Sequence, residues 1–245
     1  MIKKHKWKLI ISSIIILLPA VLGLILWERL PELFAVHWGI DGEPDGLNSK
    51  KIAIFLVPVF MLAVHWICIF FTERDPENKE QSSKVFNMLF WILPITSLIV
   101  SVQFYALVLE SDMNVFIMMR LLMGIIFLVL GNYMPKCKKN HTIGVKVAWT
   151  LGNEENWNKT HRFTGRLWVF GGSFFLVTMW MQMKYFVYLF VSMLLILSFA
   201  PMFYSYLYYK KQLKMKTVTK EEIVELSKKI KMDTIYLLEG EMDDE

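Results

Sequence analysis

The chain has 245 residues, of which 55% are hydrophobic and 15% aromatic, and its formal net charge is +5. Soluble domains are usually about 45 to 50% apolar, and the mean hydropathy here is positive, at +0.42. This composition excludes intrinsic disorder, and the 2 cysteines are too few for a disulfide scaffold. Because the apolar residues come in blocks longer than a packed core uses, the sequence predicts a multi-pass membrane protein.

Six stretches are long enough to cross a bilayer, because about 30 Å of hydrocarbon takes roughly 20 helical residues. These predicted spans are residues 9–27, 52–72, 85–109, 114–134, 167–183 and 185–209. The first span has the basic flank of a signal peptide, but its apolar run is longer than a signal core and no small-residue cleavage site follows it. We therefore predict an all-α fold, a polytopic six-helix transmembrane bundle with a cytoplasmic amphipathic C-terminal helix.

The positions of lysine and arginine predict the orientation, since cationic flanks stay in the cytoplasm. Most of the 27 Lys and Arg residues lie before the first span, between the second and third spans, between the fourth and fifth, and after the sixth. This distribution predicts a cell-membrane protein with both termini in the cytoplasm. The positive net charge then reflects membrane topology, and direct binding of nucleic acid is only a remote alternative.

The chain divides into three predicted regions. Residues 1–72 hold two spans and a structured extracellular loop at 28–51, residues 73–209 hold four spans and a cytoplasmic loop at 131–166, and residues 210–245 form a cytoplasmic tail. In the tail, a capping box of Thr219 and Glu222 precedes apolar residues at helical spacing, which predicts a short amphipathic helix. This helix would either lie at the interface or contact a cytoplasmic partner.

The extracellular loop at 28–51 is rich in glycine and proline, and its two Asp-Gly pairs are turn signals. We predict a compact loop, with His37 and Trp38 as anchors at the membrane interface. His37, Asp41 and Asp45 could instead bind a divalent ion, although their spacing matches no standard site. A compact loop of this kind suits docking of a molecule from outside the cell.

The cytoplasmic loop at 131–166 is strongly basic, which suits a segment on an anionic leaflet. Asn153 can cap a helix whose first turn holds Glu154 and Glu155, where the helix dipole favours anions. One stripe follows at helical spacing, made of Trp157, Thr160, His161, Thr164 and Trp168. Because the stripe is too polar for lipid contact, we predict that it faces a polar pocket or packs against another loop.

The two cysteines, each with a histidine nearby, raise the alternative of a metal site, and Arg120 inside a span raises the alternative of a functional charge. Cys68 and Cys137 each have one histidine nearby, but zinc needs three or four ligands, so we expect a small apolar filler at Cys68 and a solvent-facing thiol at Cys137. Arg120 lies in the fourth span, where a cation is costly and often functional. Since it is close to the outer end, it can snorkel towards Glu110 or Asp112.

Two segments resemble a known family. Residues 131–166 are similar to the signature of the SdpI family of bacterial membrane proteins, in which Gly-Asn-x-x-Pro, Asn-x-x-x-Gly, Trp-Thr-Leu and Trp-x-x-Thr-His-Arg recur at this spacing. A second family element resembles the extracellular loop, here Leu30, Pro31, His37, Trp38, Gly42, Asp45 and Lys50. The likeness covers about residues 9–209, although the Ile-Arg-Thr-Pro-Trp of many members is replaced here by Val145, Lys146, Val147, Ala148 and Trp149.

The resemblance implies a non-enzymatic immunity protein, without cofactor or metal, that protects its cell from a secreted peptide toxin. It also implies that the protein can hold a small helix-turn-helix repressor at the membrane. The toxin would meet His37, Trp38 and Asp45. The repressor would meet nine cytoplasmic residues: Asn132, Asn140, Gly144, Trp149, Thr150, Trp157, Thr160, His161 and Arg162.

Two other functions remain open from the residues alone. A transporter or flippase that exports toxin or lipid is suggested by Arg120 and by the prolines in four spans, but no paired acidic residues lie inside the spans. An enzyme would have to use His37, His141 or His161, none of which has a carboxylate placed by the sequence to orient it. The sequence contains no HExxH, GxSxG or phosphate-binding loop motif.

Overall fold

The computed structural model describes residues 2–39, 43–109 and 114–243. Asp41, Gly42, Glu110 and Asp112, on which predictions above depend, lie outside these ranges. The described helices are α1 (Ile2–Ile25), α2 (Lys50–Arg74), α3 (Ser83–Val108), α4 (Val115–Tyr133), the short α5 (Ala148–Leu151), α6 (Glu154–Val177) and α7 (Met183–Asp243). Two strands, β1 (Leu33–Trp38) and β2 (Pro44–Ser49), join α1 to α2.

Five of the described helices are long and apolar enough to cross a membrane, which confirms a predominantly helical, multi-pass membrane protein. The five segments are His5–Ile25, Lys50–Arg74, Ser83–Ala106, Phe116–Lys136 and Met183–Met232. The remaining predicted span, 167–183, covers the second half of α6 and the turn that follows it, because α6 ends at Val177. The first half of α6 is polar, so the helix as a whole is not uniformly apolar and is not one of these five segments.

Consecutive long helices run in opposite directions, so their connections gather at two ends of the bundle. We call the end with β1 and β2 the hairpin end. The opposite end, called the basic end, holds the start of α1 and residues 134–153. Side-chain contacts tie α1 to α3 near both ends: Lys8 donates to Asn87 over 2.6 Å, and Tyr105 donates to the main-chain oxygen of Pro19 over 2.7 Å.

The antiparallel pair of β1 and β2 is an element that the all-α prediction missed. Phe34 on β1 is buried in a cluster with Leu30, Ile54 and Tyr105, and it stacks on Phe104 with 5.0 Å between ring centroids. Burial of an aromatic ring is a large apolar contribution, so this side chain anchors the hairpin to α2 and α3. The sequence predicted the turns, but the strands beside them were too short to give a clear alternating pattern.

Helices α4 and α6 pack antiparallel and approach each other at glycines. A Cβ atom on Gly165 would lie 2.6 Å from the main-chain oxygen of Gly131, and one on Gly172 would lie 2.7 Å from that of Gly124. Small residues allow such close backbone approach between membrane helices. The pairing aligns the apolar half of α6 with α4 along most of the length of α4.

Arg120 on α4 binds the turn between α6 and α7, whereas Glu110 and Asp112, towards which it was expected to snorkel, lie outside the described residues. Its guanidinium donates to the main-chain oxygens of Thr178, Met179 and Met181 over 3.2, 2.6 and 2.7 Å, and it lies 4.2 Å from the ring centroid of Phe186. The last carbonyls of a helix lack intrahelical partners and carry negative partial charge. Arg120 therefore caps α6, which is a structural role for a cation within the membrane.

The tail differs from its prediction as well. Helix α7 continues from the sixth predicted span through the tail to Asp243 without a break. Thr219 does not start a new helix, because its hydroxyl donates to the main-chain oxygen of Met215 inside α7. The described side chains from 213 to 232 are exposed.

Candidate functional site

The basic end is built around the first half of α6. Asn153 caps this helix, since its side chain accepts a hydrogen bond of 2.8 Å from the main-chain N–H of Asn156, and Glu154 and Glu155 occupy the first turn. This start of α6 confirms the prediction. It fixes the direction of the polar stripe that follows.

The stripe packs against the loop that precedes it, which is one of the two alternatives left open by the sequence. Trp157 is fully buried and donates from Nε1 to the main-chain oxygen of Cys137 over 2.9 Å. His161 stacks on Trp157 with 3.9 Å between ring centroids. Its Nε2 accepts from the main-chain N–H of Val145 over 3.1 Å, and its Nδ1 donates to the main-chain oxygen of Trp157 over 2.8 Å. Both ring nitrogens are therefore used by the neutral imidazole.

Other buried polar side chains shape the same loop. Asn140 accepts from the main-chain N–H groups of Thr142 and Ile143 over 2.8 and 2.6 Å. Thr150 donates to the main-chain oxygen of Val145 over 2.8 Å. Gly144, at φ 119°, lies directly against the imidazole of His161. We call the buried residues Asn140, Thr150, Trp157 and His161, together with the half-buried Gly144, the loop core.

The connection between α2 and α3 joins this loop through three side chains that sequence reasoning missed. Asp75 accepts from the main-chain N–H of His141 over 2.7 Å, and Asn78 donates to the hydroxyl of Thr142 over 2.6 Å. Gln81 exchanges two hydrogen bonds with the main chain of Lys138, over 2.6 and 3.1 Å. The signal was their spacing of three residues, which matches the period of the 3₁₀ turn that they form.

Three comparisons with known proteins bear on the whole chain, including this end of the molecule. Residues 136–205 match the SdpI/YfhL protein family, and residues 14–62 match a domain of unknown function, DUF1648. Immunity protein SdpI of Bacillus subtilis (strain 168) is 28% identical over an alignment of 208 positions, which covers 83% of this chain and 97% of that protein. The resemblance to the SdpI family is confirmed. No solved structure matches the chain.

The SdpI region contains both the loop core and most of its supports. It runs from the loop through α6 into the first part of α7. Trp149 contacts α7, where its Nε1 donates to the hydroxyl of Ser205 over 2.6 Å. Glu155 accepts from Tyr208 over 2.6 Å, and the hydroxyl of Tyr208 together with Lys159 holds the pKa of Glu155 below its usual range. The loop, α6 and α7 thus form one connected unit.

The nine residues predicted to bind a partner at this end fall into two groups. Asn140, Thr150, Trp157, Thr160 and His161 are buried, so they shape the loop without reaching the surface. Asn132 and Arg162 are exposed, and Gly144 and Trp149 are half-buried. Trp149 also lines a cavity of about 330 Å³ together with Asn153, Tyr209 and Lys216.

The residues predicted at the hairpin end are placed differently. His37 and Asp45 are exposed and share a hydrogen bond across the strands. Trp38 is the last residue of β1, and its side chain lies outside the described part of the structure. Among the described residues, no group of three or more His, Cys, Asp or Glu side chains could hold a metal ion. The alternative metal site also used Asp41, which is outside the described ranges.

The two cysteines exchange their expected environments. Cys68 is exposed on α2, whereas Cys137, expected to face solvent, is buried beneath α6. Burial raises the pKa of the Cys137 thiol to about 11. Its thiol therefore stays protonated and unreactive at neutral pH.

The buried imidazole of His161 predicts an acid-sensitive loop. Burial lowers the pKa of His161 to about 4, against 6.5 for an exposed histidine, and the bond to the main chain of Trp157 offsets part of this effect. Because the unfolded chain binds the proton first, the stabilisation is complete above about pH 6.5. It should fall by up to about 1 kcal/mol per pH unit between pH 6.5 and 4. Thermal unfolding of the detergent-solubilised protein across this range measures the slope.

Two histidine variants separate this effect from other titrations. His161→Gln should flatten the dependence of the melting temperature on pH. His141→Gln replaces an exposed imidazole and should leave the slope in place. An unchanged slope in His161→Gln would contradict the assignment to His161.

Proposed function

We propose that this protein is a membrane immunity protein that protects its cell against a secreted peptide toxin. The observation that carries the proposal is the similarity to immunity protein SdpI across nearly the full length of that relative. The loop core adds support, because its buried bonds use the motif residues that resemble the family signature. The work of the protein is binding, and we assign it no catalytic residue.

The proposal includes six membrane crossings with both termini in the cytoplasm. Five segments qualify by length and composition, and the apolar half of α6 is proposed as the sixth. Its antiparallel packing on α4 supports this, since the glycine contacts extend from Gly131 and Gly165 to Gly124 and Gly172. The abundance of lysine at the basic end favours placing that end in the cytoplasm. The hairpin end would then face outward.

The toxin-binding surface is proposed to include His37, Trp38 and Asp45. The hairpin is supported from below by Phe34 and at its base by Lys50, which pairs with Glu32 over 2.7 Å and lies 4.7 Å from the ring centroid of Trp27. A supported hairpin presents its exposed side chains with little loss of conformational entropy on binding. This favours a specific contact over a flexible tether.

A repressor-like partner is proposed to dock at the basic end through Asn132, Trp149 and Arg162. Arg162 and Asn132 are exposed polar side chains next to a rigid loop, and Arg162 suits an acidic partner. The buried members of the nine-residue set would act by holding this surface in shape. A membrane-tethered repressor would then be removed from its operator.

Protection can be measured by expressing the chain in a toxin-sensitive cell that is exposed to a candidate secreted peptide toxin. We expect survival with the native chain. Replacing both His37 and Asp45 with alanine should lower the protective threshold by about tenfold, as loss of roughly 1.4 kcal/mol of binding implies. Leu47→Ala, on the same hairpin and also exposed, is the matched control and should protect normally.

Three outcomes would count against parts of the proposal. No gain in survival with the native chain, at a normal level in the membrane, would contradict immunity itself. Equal protection by the double variant and the control would remove these hairpin residues from the toxin site. For the partner surface, the repressor should leave its operator when toxin is present. If it stayed on its operator both with the native chain and with Arg162→Glu, sequestration would be contradicted.

A further inference from the structure

A cavity of about 420 Å³ lies beneath the hairpin, between α2, α3 and α4. Ligand-binding cavities usually have about 300 to 1,000 Å³. Its lining is almost entirely apolar, and the two polar members are the amides of Asn48 and Gln103. Among the described residues, no charged side chain lines it. Such a lining excludes an ion or a polar metabolite as its ligand.

Gln103 gives this cavity a polar feature that the fold itself does not satisfy. The residue is only 4% exposed, and its amide nitrogen has no hydrogen-bond partner among the described residues. Buried donors are almost always paired, because leaving one unpaired costs free energy. We therefore expect the molecule that occupies the cavity to supply a hydrogen-bond acceptor for this amide nitrogen.

The cavity opens sideways, towards the region that lipid occupies around a membrane protein. Leu56, Ile52 and Met119 belong to its lining and are 58, 45 and 41% exposed. On α2 the lining residues fall in the first two turns after Lys50. Gln103 lies roughly 7 Å along α3 from the end of that helix at Val108, at about 1.5 Å per residue. In a bilayer that surrounds these helices, this position corresponds to the region where the hydrocarbon meets the ester groups.

We propose that this cavity holds one acyl chain of a glycerophospholipid, whose ester carbonyl accepts a hydrogen bond from the Gln103 amide. The apolar lining matches the chain, the unpartnered donor matches the carbonyl, and the lateral opening matches entry from the bilayer. A peptide segment would bring further main-chain donors and acceptors into a site that offers only two amides. The lipid is therefore the better chemical match.

The lipid site also explains how α3 and α4 stay together near the hairpin. α3 and α4 line the cavity from two sides, and Val36 and Asn48 of the hairpin lie above it. Leu122 of α4 lines both this cavity and a second apolar cavity between α3 and α4. Direct packing there is incomplete. An acyl chain would fill the gap and support the hairpin from below, independently of the proposed immunity function.

The test uses the full chain in vesicles of phosphatidylethanolamine and phosphatidylglycerol that carry a photoactivatable acyl chain. After irradiation, mass spectrometry maps the labelled residues. We expect labelling concentrated on Val100, Met119 and Met123. Val100→Phe should lower that labelling about tenfold by filling the cavity, equivalent to a tenfold loss of occupancy. Gln103→Leu should also reduce it, because the donor is lost while the volume is kept.

Val102→Phe is the matched control, since Val102 is 51% exposed on the same helix and does not line the cavity. It should label like the native chain. Labels spread evenly over all exposed apolar positions would mean ordinary surrounding lipid and would overturn the proposal. Native mass spectrometry of the gently purified chain gives a second readout. One retained phospholipid is expected, and a retained peptide in its place would also overturn it.

Discussion

Gly144→Ala is expected to lower the free energy of unfolding of the SdpI region by roughly 3 kcal/mol, from backbone strain and overpacking together. Gly144 has φ 119°, where residues with a side chain are strained. A Cβ atom there would also lie 2.1 Å from Nε2 of His161. The ring cannot move aside, because it stacks on Trp157 and uses both nitrogens in hydrogen bonds. Thermal unfolding in detergent measures the loss.

The matched control is Gly152→Ala. Gly152 has φ −77°, which any residue adopts, and its Cβ would lie 3.2 Å from the main-chain oxygen of Ala148. We expect a change within about 0.5 kcal/mol, typical of a surface substitution. The double variant of Gly144→Ala with His161→Ala isolates the clash, because the ring is then absent and only the backbone strain remains. Equal melting temperatures for the two glycine variants would contradict this account.

Five of the six spans could be predicted, as the long apolar helices among the described residues show, because a bilayer imposes a length and a composition that no other environment requires. The start of α6 could also be predicted, since Asn153 and the acidic first turn are local signals. The same holds for the stripe that ends at Trp168, whose spacing depends only on the helix. Each of these predictions depends on residues that are close in sequence.

The missed features depend on residues that are far apart in sequence. Asp75 meets His141 across 66 positions, and Gln81 meets Lys138 across 57. The burial of Cys137 follows from the placement of Trp157 above it. The stripe itself did not indicate which surface it would cover. The stripe covers the loop at the basic end, and the shape of that loop depends on Asn140 and on contacts with the α2–α3 connection.

Arg120 shows the same limit in the membrane. The sequence indicated that a cation at this position in a span costs free energy, and that Arg120 lies near one end of the helix. The sequence offered carboxylates as its partners, while the structure supplies main-chain oxygens of the α6–α7 turn, 58 to 61 positions away. Carbonyls of a helix end leave no mark in a sequence. This cation is therefore accounted for without a transport mechanism.

Arg120→Met is expected to lower the free energy of unfolding by about 3 kcal/mol, taking roughly 1 kcal/mol for each hydrogen bond lost within a membrane. Methionine keeps much of the apolar contact with Phe186, so the change isolates the guanidinium. Its removal leaves the oxygens of Thr178, Met179 and Met181 without this donor. The end of α6 should then fray, and the turn into α7 should become accessible to protease. Thermal unfolding and limited proteolysis measure the two effects.

Two further arginine variants make this prediction specific. Arg120→Lys keeps the charge but loses the planar fork, so it should recover only part of the lost stability. Arg162→Met removes an exposed guanidinium on α6, and it should change stability by no more than about 0.5 kcal/mol. If Arg120→Met melted like the native chain, the three bonds would contribute nothing to stability. If lysine restored stability in full, charge alone would hold the turn, and the geometry of the guanidinium would have no part in it.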